Sequence, residues 1–475
     1  MSLLESEAFY FLLAAVLLHW LLPRKAAVQN LALLALSWLF YAAAGPWLLV
    51  MLLGTTAVDW IVQQRFATAS RRKAWLALSL GANLGVLFWF KYAGPTTESL
   101  GRLLASLGLP VAMPVLQLAL PLGLSFYTLQ RLGCVLDVYL GRRAPVRSPL
   151  TFATFTCFFP QLTAGPISRA GELLDQLERP RRLLPDQVAR GCASFLLGYT
   201  LKCYVADSLG PVLVDTVYAD PASHSCAALW IATAGYALQI FADFAGYSLI
   251  AIGVALWFGI TLPTNFDYPF FSRSLPEFWR RWHITLNRWL FAFVYAPLTT
   301  SRGWFRGRMH TGLIVVFLAS GIWHGSQWPF VIWGLLHGLG MAVHSVYDER
   351  YRQLCRNDRV WVERRRTLAY AACAWVLTQG FFVVTLVAFR ARSLPDTLTI
   401  WTGMLGLGEG TQTQGRTYLP LLLMGAYHAF GLLPRAQAWV LALPAPVRGV
   451  LYGLVIVALL MLVPVGTSTF IYRNF

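Results

Sequence analysis

The sequence predicts an all-α integral membrane protein with ten to twelve spans and one or more re-entrant or interfacial segments between them. Three observations predict it. Apolar residues make up 57% of the 475-residue chain and charged residues only 12%, about half of the roughly 25% typical of a soluble domain. The apolar residues come in runs, many close to the length of about 20 that crosses a bilayer. The basic residues, which bring the net charge to +17, fall in short loops between those runs.

The same numbers exclude other classes. A chain with 19 Trp, 19 Tyr and 30 Phe is not disordered. Its seven Cys are scattered and form no CxxC or Cys/His cluster, so neither a disulfide scaffold nor a zinc module is expected. The positive charge reads as the cytoplasmic-loop bias of membrane proteins, because no aromatic–basic platform for nucleic acid stands apart from the spans. No nucleic-acid partner is expected; membrane lipids are.

The first run, 7–22, opens on Glu5 and Glu7 and is followed by no small-residue cleavage site, so it reads as a retained span and not a signal peptide. Further runs lie near 27–43, 47–63, 74–92, 119–140, 188–208, 226–242, 244–260, 311–322, 329–346, 367–389, 416–433 and 446–467. The Phe-rich stretch 150–163 is short and broken by Pro160 and by Gly165-Pro166. Irregular backbone at membrane depth is tolerated only when packed in protein or lining a cavity, so this stretch reads as re-entrant. With no internal repeat or flexible linker, residues 1–475 are expected to form one membrane-embedded domain.

Orientation follows from loop charge. Arg24 and Lys25, then Arg65, Arg71, Arg72 and Lys73, then Arg142, Arg143 and Arg147 occupy alternate loops, while the loops between carry only Arg102. The basic loops belong in the cytoplasm and the N-terminus outside. Lys91, at the outer end of a span, fits by snorkelling. The seven Arg within 350–366 mark a further cytoplasmic loop.

Four stretches could carry chemistry. In 274–298, Glu277, Arg280, Arg281, His283, Asn287 and Arg288 stand among Trp and Phe. On a helix His283 and Asn287 would share a face; the Arg and Trp residues read equally as interfacial anchors. In 320–337, His324 sits beside Trp323 in an apolar run between Gly321 and Gly325. An ionisable group so placed usually marks a site or pathway, the bland alternative being a neutral imidazole bonded to a carbonyl. His337 and His344 are seven apart on a Gly-rich segment, which points to close helix packing rather than to a metal or haem. No metal site is expected. In 243–248, Gly246 could break the helix and leave Asp243 and Tyr247 near a polar centre, with Asp243 orienting a His, pairing with an Arg, or fixing helix register as an ion pair. In 159–169, two prolines bracket a bend where Gly165 lets backbone approach a ligand. Nucleotide loops, HExxH, GxSxG and paired glycosidase carboxylates are absent, so nucleotide-driven chemistry is not expected.

Taken together, the segments PLGLSFYTLQRLGCVLDVY (121–139), FFPQLTAGPISR (158–169), DFAGYSLIAIG (243–253), NFDYPFFSRSLPEFWRRWHITL (265–286), SGIWHGSQWPFVIWGLLHG (320–338), Phe389-Arg390 and the closing FIYRNF (470–475) resemble the membrane-bound O-acyltransferases. The resemblance runs through most of the chain and points to the branch that acetylates bacterial polysaccharides such as alginate. It implies about eleven transmembrane helices plus re-entrant and interfacial helices around a central funnel, in the inner (plasma) membrane. It implies that His324 of the WHG motif is catalytic, with His283 as the second marker. It also implies an acyl-CoA or other acyl thioester as cytoplasmic donor, no bound cofactor, an extracytoplasmic polysaccharide as acceptor, and an extracytoplasmic acetyltransferase- or esterase-like partner protein. The chain departs from the branch at Leu249, where an Asp is usual. It departs again at 289–300, where an Arg-Asp pair is replaced by apolar residues.

The expected chemistry is acyl transfer, with neutral His324 taking a proton from the attacking hydroxyl, a form of general-base help worth about 10²–10⁴-fold. His283 and Asn287 could orient the nucleophile or donate to the oxyanion. Arg280, Arg281 or Arg288 could meet donor phosphates or lipid headgroups. Two other readings compete. A flippase for a lipid-linked substrate would need inverted halves; a haem or quinone protein would need His pairs on facing spans.

Overall fold

In the computed structural model, residues 3, 6–66, 71–109, 114, 120–301, 303–406, 424–426, 428 and 439–462 are described. Most of the expected run 416–433, and the 470–475 motif, lie outside them. The described residues form helices joined by short loops. We number the principal ones α1 (Ser6–Leu21), α2 (Ala26–Ala42), α3 (Pro46–Arg65), α4 (Arg72–Ser106), α5 (Leu124–Tyr139), α6 (Pro149–Cys157), α7 (Phe159–Leu162), α8 (Ala170–Leu177), α9 (Pro185–Tyr199), α10 (Cys226–Trp257), α11 (Leu275–Arg281), α12 (Ile284–Leu290), α13 (Met309–His324), α14 (Trp328–Asn357), α15 (Arg359–Arg366), α16 (Leu368–Arg390), α17 (Leu394–Met404) and α18 (Ala445–Leu462).

Among the described residues five helices, α3, α4, α10, α14 and α16, are long and apolar enough to cross a membrane, and Glu7–Leu21, Ala26–Ala42, Met309–His324 and Ala445–Leu459 are shorter apolar helices. The runs at 226–242 and 244–260 are one continuous helix, α10, not two spans broken at Gly246. Gly246 serves packing. A Cβ there would lie 2.7 Å from the Gly198 carbonyl oxygen, and one at Gly198 would lie 2.5 Å from the Gly246 oxygen. The two small residues thus let α9 and α10 touch backbone to backbone. Beyond α9 the chain winds into wider π-helical turns at Thr200–Ala206 and Gly210–Val214. The 150–163 stretch is broken, but at Phe158, two residues before Pro160, which sits in the first turn of α7.

α10 is the hub. Most of its length is buried, including Phe241, Asp243 and Phe244, against a large apolar core that draws Phe152, Phe155 and Phe159 from the broken segment and Phe278, Phe382 and Phe389 from elsewhere. A second device ties α3, α4 and α5 together. Asp59 and Arg131 are fully buried and paired at 2.7 Å. Asp59 also accepts from Ser79 Oγ at 2.5 Å and Asn83 Nδ2 at 2.9 Å, and Arg131 Nη2 donates to Asn83 Oδ1. Removing one partner of a buried pair costs roughly 3–5 kcal/mol, because the other charge is stranded. Arg131→Leu is therefore expected to lower the unfolding temperature in detergent sharply, and a second change, Asp59→Leu, to restore much of the loss. Equal melting of wild type and Arg131→Leu would contradict the pairing.

Candidate active site

The α13–α14 hairpin is unusually tight. A Cβ on Gly321 would lie 2.3 Å from the Phe330 carbonyl oxygen, and one on Gly334 2.5 Å from the Phe317 oxygen. α13 ends on His324, after which Gly325 is extended and Pro329 opens α14. His324 is thereby fixed in the interior, packed against Trp323 (4.8 Å between ring centroids), Phe389 (5.0 Å) and Trp333 (5.3 Å).

His283 arrives from another direction. It does not share a continuous helix with Asn287, as the spacing predicts; it is the joint between α11 and α12, at φ +44°. Side chains rarely take this left-handed conformation, although His tolerates it better than most, and it persists where surrounding bonds over-determine it. Here the segment 265–267 supplies them: Ile284 N donates to the Asn265 carbonyl and Asp267 N to the Arg281 carbonyl, each at 2.9 Å. The His283 ring is enclosed by Phe244, Phe126, Phe266 and Trp323. Its Nδ1 lies 3.0 Å from Asn265 Oδ1. Its Nε2 has no hydrogen-bond partner among the described residues.

Both histidines line one small cavity of about 10 Å³, with Asn287, Ser320, Trp279 and Trp333, room for about one water. The indole N–H groups of Trp279 and Trp333 are buried and have no acceptor among the described residues.

The remaining predicted site residues are placed as follows. Asn287 Nδ2 donates to the carbonyls of Trp279 at 2.7 Å and Trp282 at 2.6 Å, closing the end of α11. Both amide hydrogens are thus committed, and Asn287 cannot donate to an oxyanion in this geometry. Asp243 pairs with Lys202 at 2.8 Å, and Lys202 with Asp207 at 2.5 Å. It pins α10 to the π-helical turn, as a register-fixing ion pair, with a Lys where an Arg was one option. Tyr247 Oη meets Thr163 Oγ1 at 2.6 Å, tying α10 to the broken segment. Trp323 bridges the site, touching both histidines. Arg281 is neutralised by Glu277 at 3.1 Å and Arg288 by Glu172 at 2.6 Å. Arg280 is exposed and forms no ion pair among the described residues. His337 is buried and bonded to Thr385 Oγ1 at 2.9 Å, and no cluster of three or more metal-ligating side chains occurs among the described residues.

Two contributors escaped the sequence reading. Lys91 does not snorkel to the surface: Nζ donates to the Trp323 carbonyl, and Tyr92 Oη to that of Ile322, so α4 caps the end of the His324 helix, where a cation suits the helix dipole. The signal was present in a lysine at the outer end of its span. Asn265 opens the 265–286 segment, but nothing local in the sequence links it to His283.

Comparison with known proteins adds to this geometry. Residues 142–387 match the family model of the membrane-bound O-acyltransferases. A protein of Azotobacter vinelandii named "Probable alginate O-acetylase" is 33% identical over 413 residues, 86% of this chain and 79% of its own length. A peptidoglycan O-acetyltransferase of Helicobacter pylori is 32% identical over 427 residues, 84% of this chain and 76% of its own length. A teichoic acid D-alanyltransferase of Streptococcus thermophilus is 31% identical over 253 residues, 50% of this chain and 60% of its own length.

Proposed function

The chain belongs to the membrane-bound O-acyltransferase family, and from that premise we propose that it moves an acetyl group from a cytoplasmic acyl thioester to hydroxyls on an extracytoplasmic polysaccharide. The observation that carries the reading is the small cavity lined by both His283 and His324. Relatives named for alginate and for peptidoglycan support a bacterial glycan as the acceptor class and acetyl as the group moved.

The chemistry needs little beyond these residues. The acceptor hydroxyl, of the glycan or of an esterase-like partner protein that completes transfer outside, approaches the thioester carbonyl. Neutral His324 removes its proton as the new C–O bond forms. The C–S bond then breaks, and the leaving thiolate takes that proton from the imidazolium. His283 orients the reacting hydroxyl. The indole N–H groups of Trp279 and Trp333 are donors available to the developing oxyanion. A one-water cavity is too small for the reacting groups, so substrate entry must part aromatic walls such as Trp333 and Phe389. Arg280, exposed and without an ion partner among the described residues, is the Arg best placed to meet donor phosphates or headgroups.

The test is ester content. In a strain lacking the chain, base-labile acetate on the extracellular glycan should be lost and should return with the wild-type gene. Unchanged ester in the deletion would refute the reading. The sidedness is separately testable in the inner membrane, where the basic loops face the cytoplasm and the N-terminus faces out. With exposed Cys373 replaced by Ser, Arg147→Cys should resist an impermeant thiol reagent in intact cells and Ser99→Cys should react. Reversed labelling would invert the topology and move the donor to the other face.

A further inference from the structure

We propose that Asn265 is a positioning residue that fixes the tautomer of His283, holding the proton on Nδ1 and so presenting the Nε2 lone pair at the cavity shared with His324. The inference rests on the acyl-transfer reading above and assigns a role to a residue outside the histidine motifs.

The argument begins with which end of the Asn265 amide faces His283. Asn265 is buried, and its Oδ1 lies 3.3 Å from the backbone nitrogen of Thr285. A backbone N–H can only donate, so the atom facing it is the oxygen. The hydroxyl of Thr285 gives the same answer. It accepts from the backbone N–H of Ile167 at 3.1 Å, which leaves its own hydrogen to donate to Asn265 Oδ1 at 2.8 Å. The amide nitrogen is occupied on the other side, donating to Ser248 Oγ at 3.1 Å. The backbone N–H and the hydroxyl of Thr285 therefore agree on one orientation, and Ser248 Oγ, which can accept, is compatible with it.

A carbonyl oxygen only accepts. The third group on it, His283 Nδ1 at 3.0 Å, must then carry the hydrogen. In a neutral imidazole that leaves Nε2 as the acceptor. The rings of Phe126, Phe244, Phe266 and Trp323 around it offer no competing acceptor for a rotated tautomer. His283 is thus set to accept a hydrogen bond, from the incoming hydroxyl or from His324, and not to donate to the oxyanion. The choice of a neutral amide matters as well. A carboxylate at 265 would favour the imidazolium, which has no lone pair to offer. The titratable groups facing this corner are His324 and, past Trp323, Lys91. Holding a histidine in its working tautomer is worth up to about 10⁴-fold in serine hydrolases.

A purely structural Asn265 would also matter, because its backbone supports the turn at His283. The experiment separates the two roles by assaying acetyl transfer from a radiolabelled thioester in membranes, over a range of pH, for Asn265→Leu, Asn265→Asp and a cycle with His283→Ala. Asn265→Leu should lose about 100-fold in kcat or more with KM for the donor little changed. In the His283→Ala background the same change should cost almost nothing further, since residues acting through one another do not add. Asn265→Asp keeps the acceptor and should retain activity, with the acid limb of its pH profile moved to higher pH. A second full loss in the His283→Ala background, or a wild-type pH profile for Asn265→Asp, would overturn the assignment. If Asn265→Leu fails to fold, the pH profile of Asn265→Asp decides. No transfer by the wild-type chain would remove the acyl-transfer reading and this inference with it.

Discussion

His324→Ala is expected to abolish acetyl transfer, by at least the roughly 10²–10⁴-fold that general-base help supplies, while the chain inserts and purifies as wild type. The expectation has two parts. The imidazole is buried at the end of α13 and lines the cavity, so its loss removes a proton acceptor from the reacting centre. The truncation leaves a void among Trp323, Trp333 and Phe389, but the hairpin that carries it is held by the glycine contacts of α13 and α14 and by Lys91, none of which the change touches. Monodispersity in detergent together with glycan ester content checks both parts. A variant that acetylates like wild type would end the assignment.

At His283 a graded result is expected. His283→Asn keeps a side-chain amide that can still hydrogen-bond, though it stops short of the Nε2 position, and should retain some activity, whereas His283→Ala should lose more. The left-handed turn makes the pair informative, since Asn, like His, tolerates positive φ better than Ala does. Equal inactivity of the two variants, with both folded, would mean that accepting a hydrogen bond is too weak a description and that His283 itself moves a proton.

Much of the fold was legible. The runs at 27–43, 47–63 and 367–389 became helices within a residue or two, because a lipid-facing helix is written in composition alone. The break in 150–163 was legible to within two residues, since proline punctuates the backbone locally; Pro160 stands in the first turn of α7, just past Phe158. Gly246 misled. Sequence marks it as a breaker, but whether a glycine breaks a helix or admits a neighbour depends on what lies opposite, here Gly198. The same holds for buried charge. Asp59, Arg131 and Lys202 sit in apolar runs as unexplained costs until their partners, distant in sequence, are known.

The two histidines singled out in the sequence line one cavity, but the geometry that brings them together was not legible. His324 could be singled out from an apolar run. The helical spacing of His283 and Asn287 suggested a shared face, yet the chain turns at His283 and spends the Asn287 amide on the end of α11. The residue that does meet His283 is Asn265, which no periodicity links to it.

The central claim is that a cytoplasmic thioester and an external hydroxyl meet at these histidines. Sealed membrane vesicles of opposite orientation, made from cells that produce the acceptor glycan, test it most directly. Given radiolabelled acetyl thioester in the medium, inside-out vesicles should accumulate alkali-labile label on the enclosed glycan, dependent on His324. Right-side-out vesicles should accumulate none until the donor is loaded inside. Label appearing in right-side-out vesicles from external donor, or in inside-out vesicles carrying His324→Ala, would contradict the account.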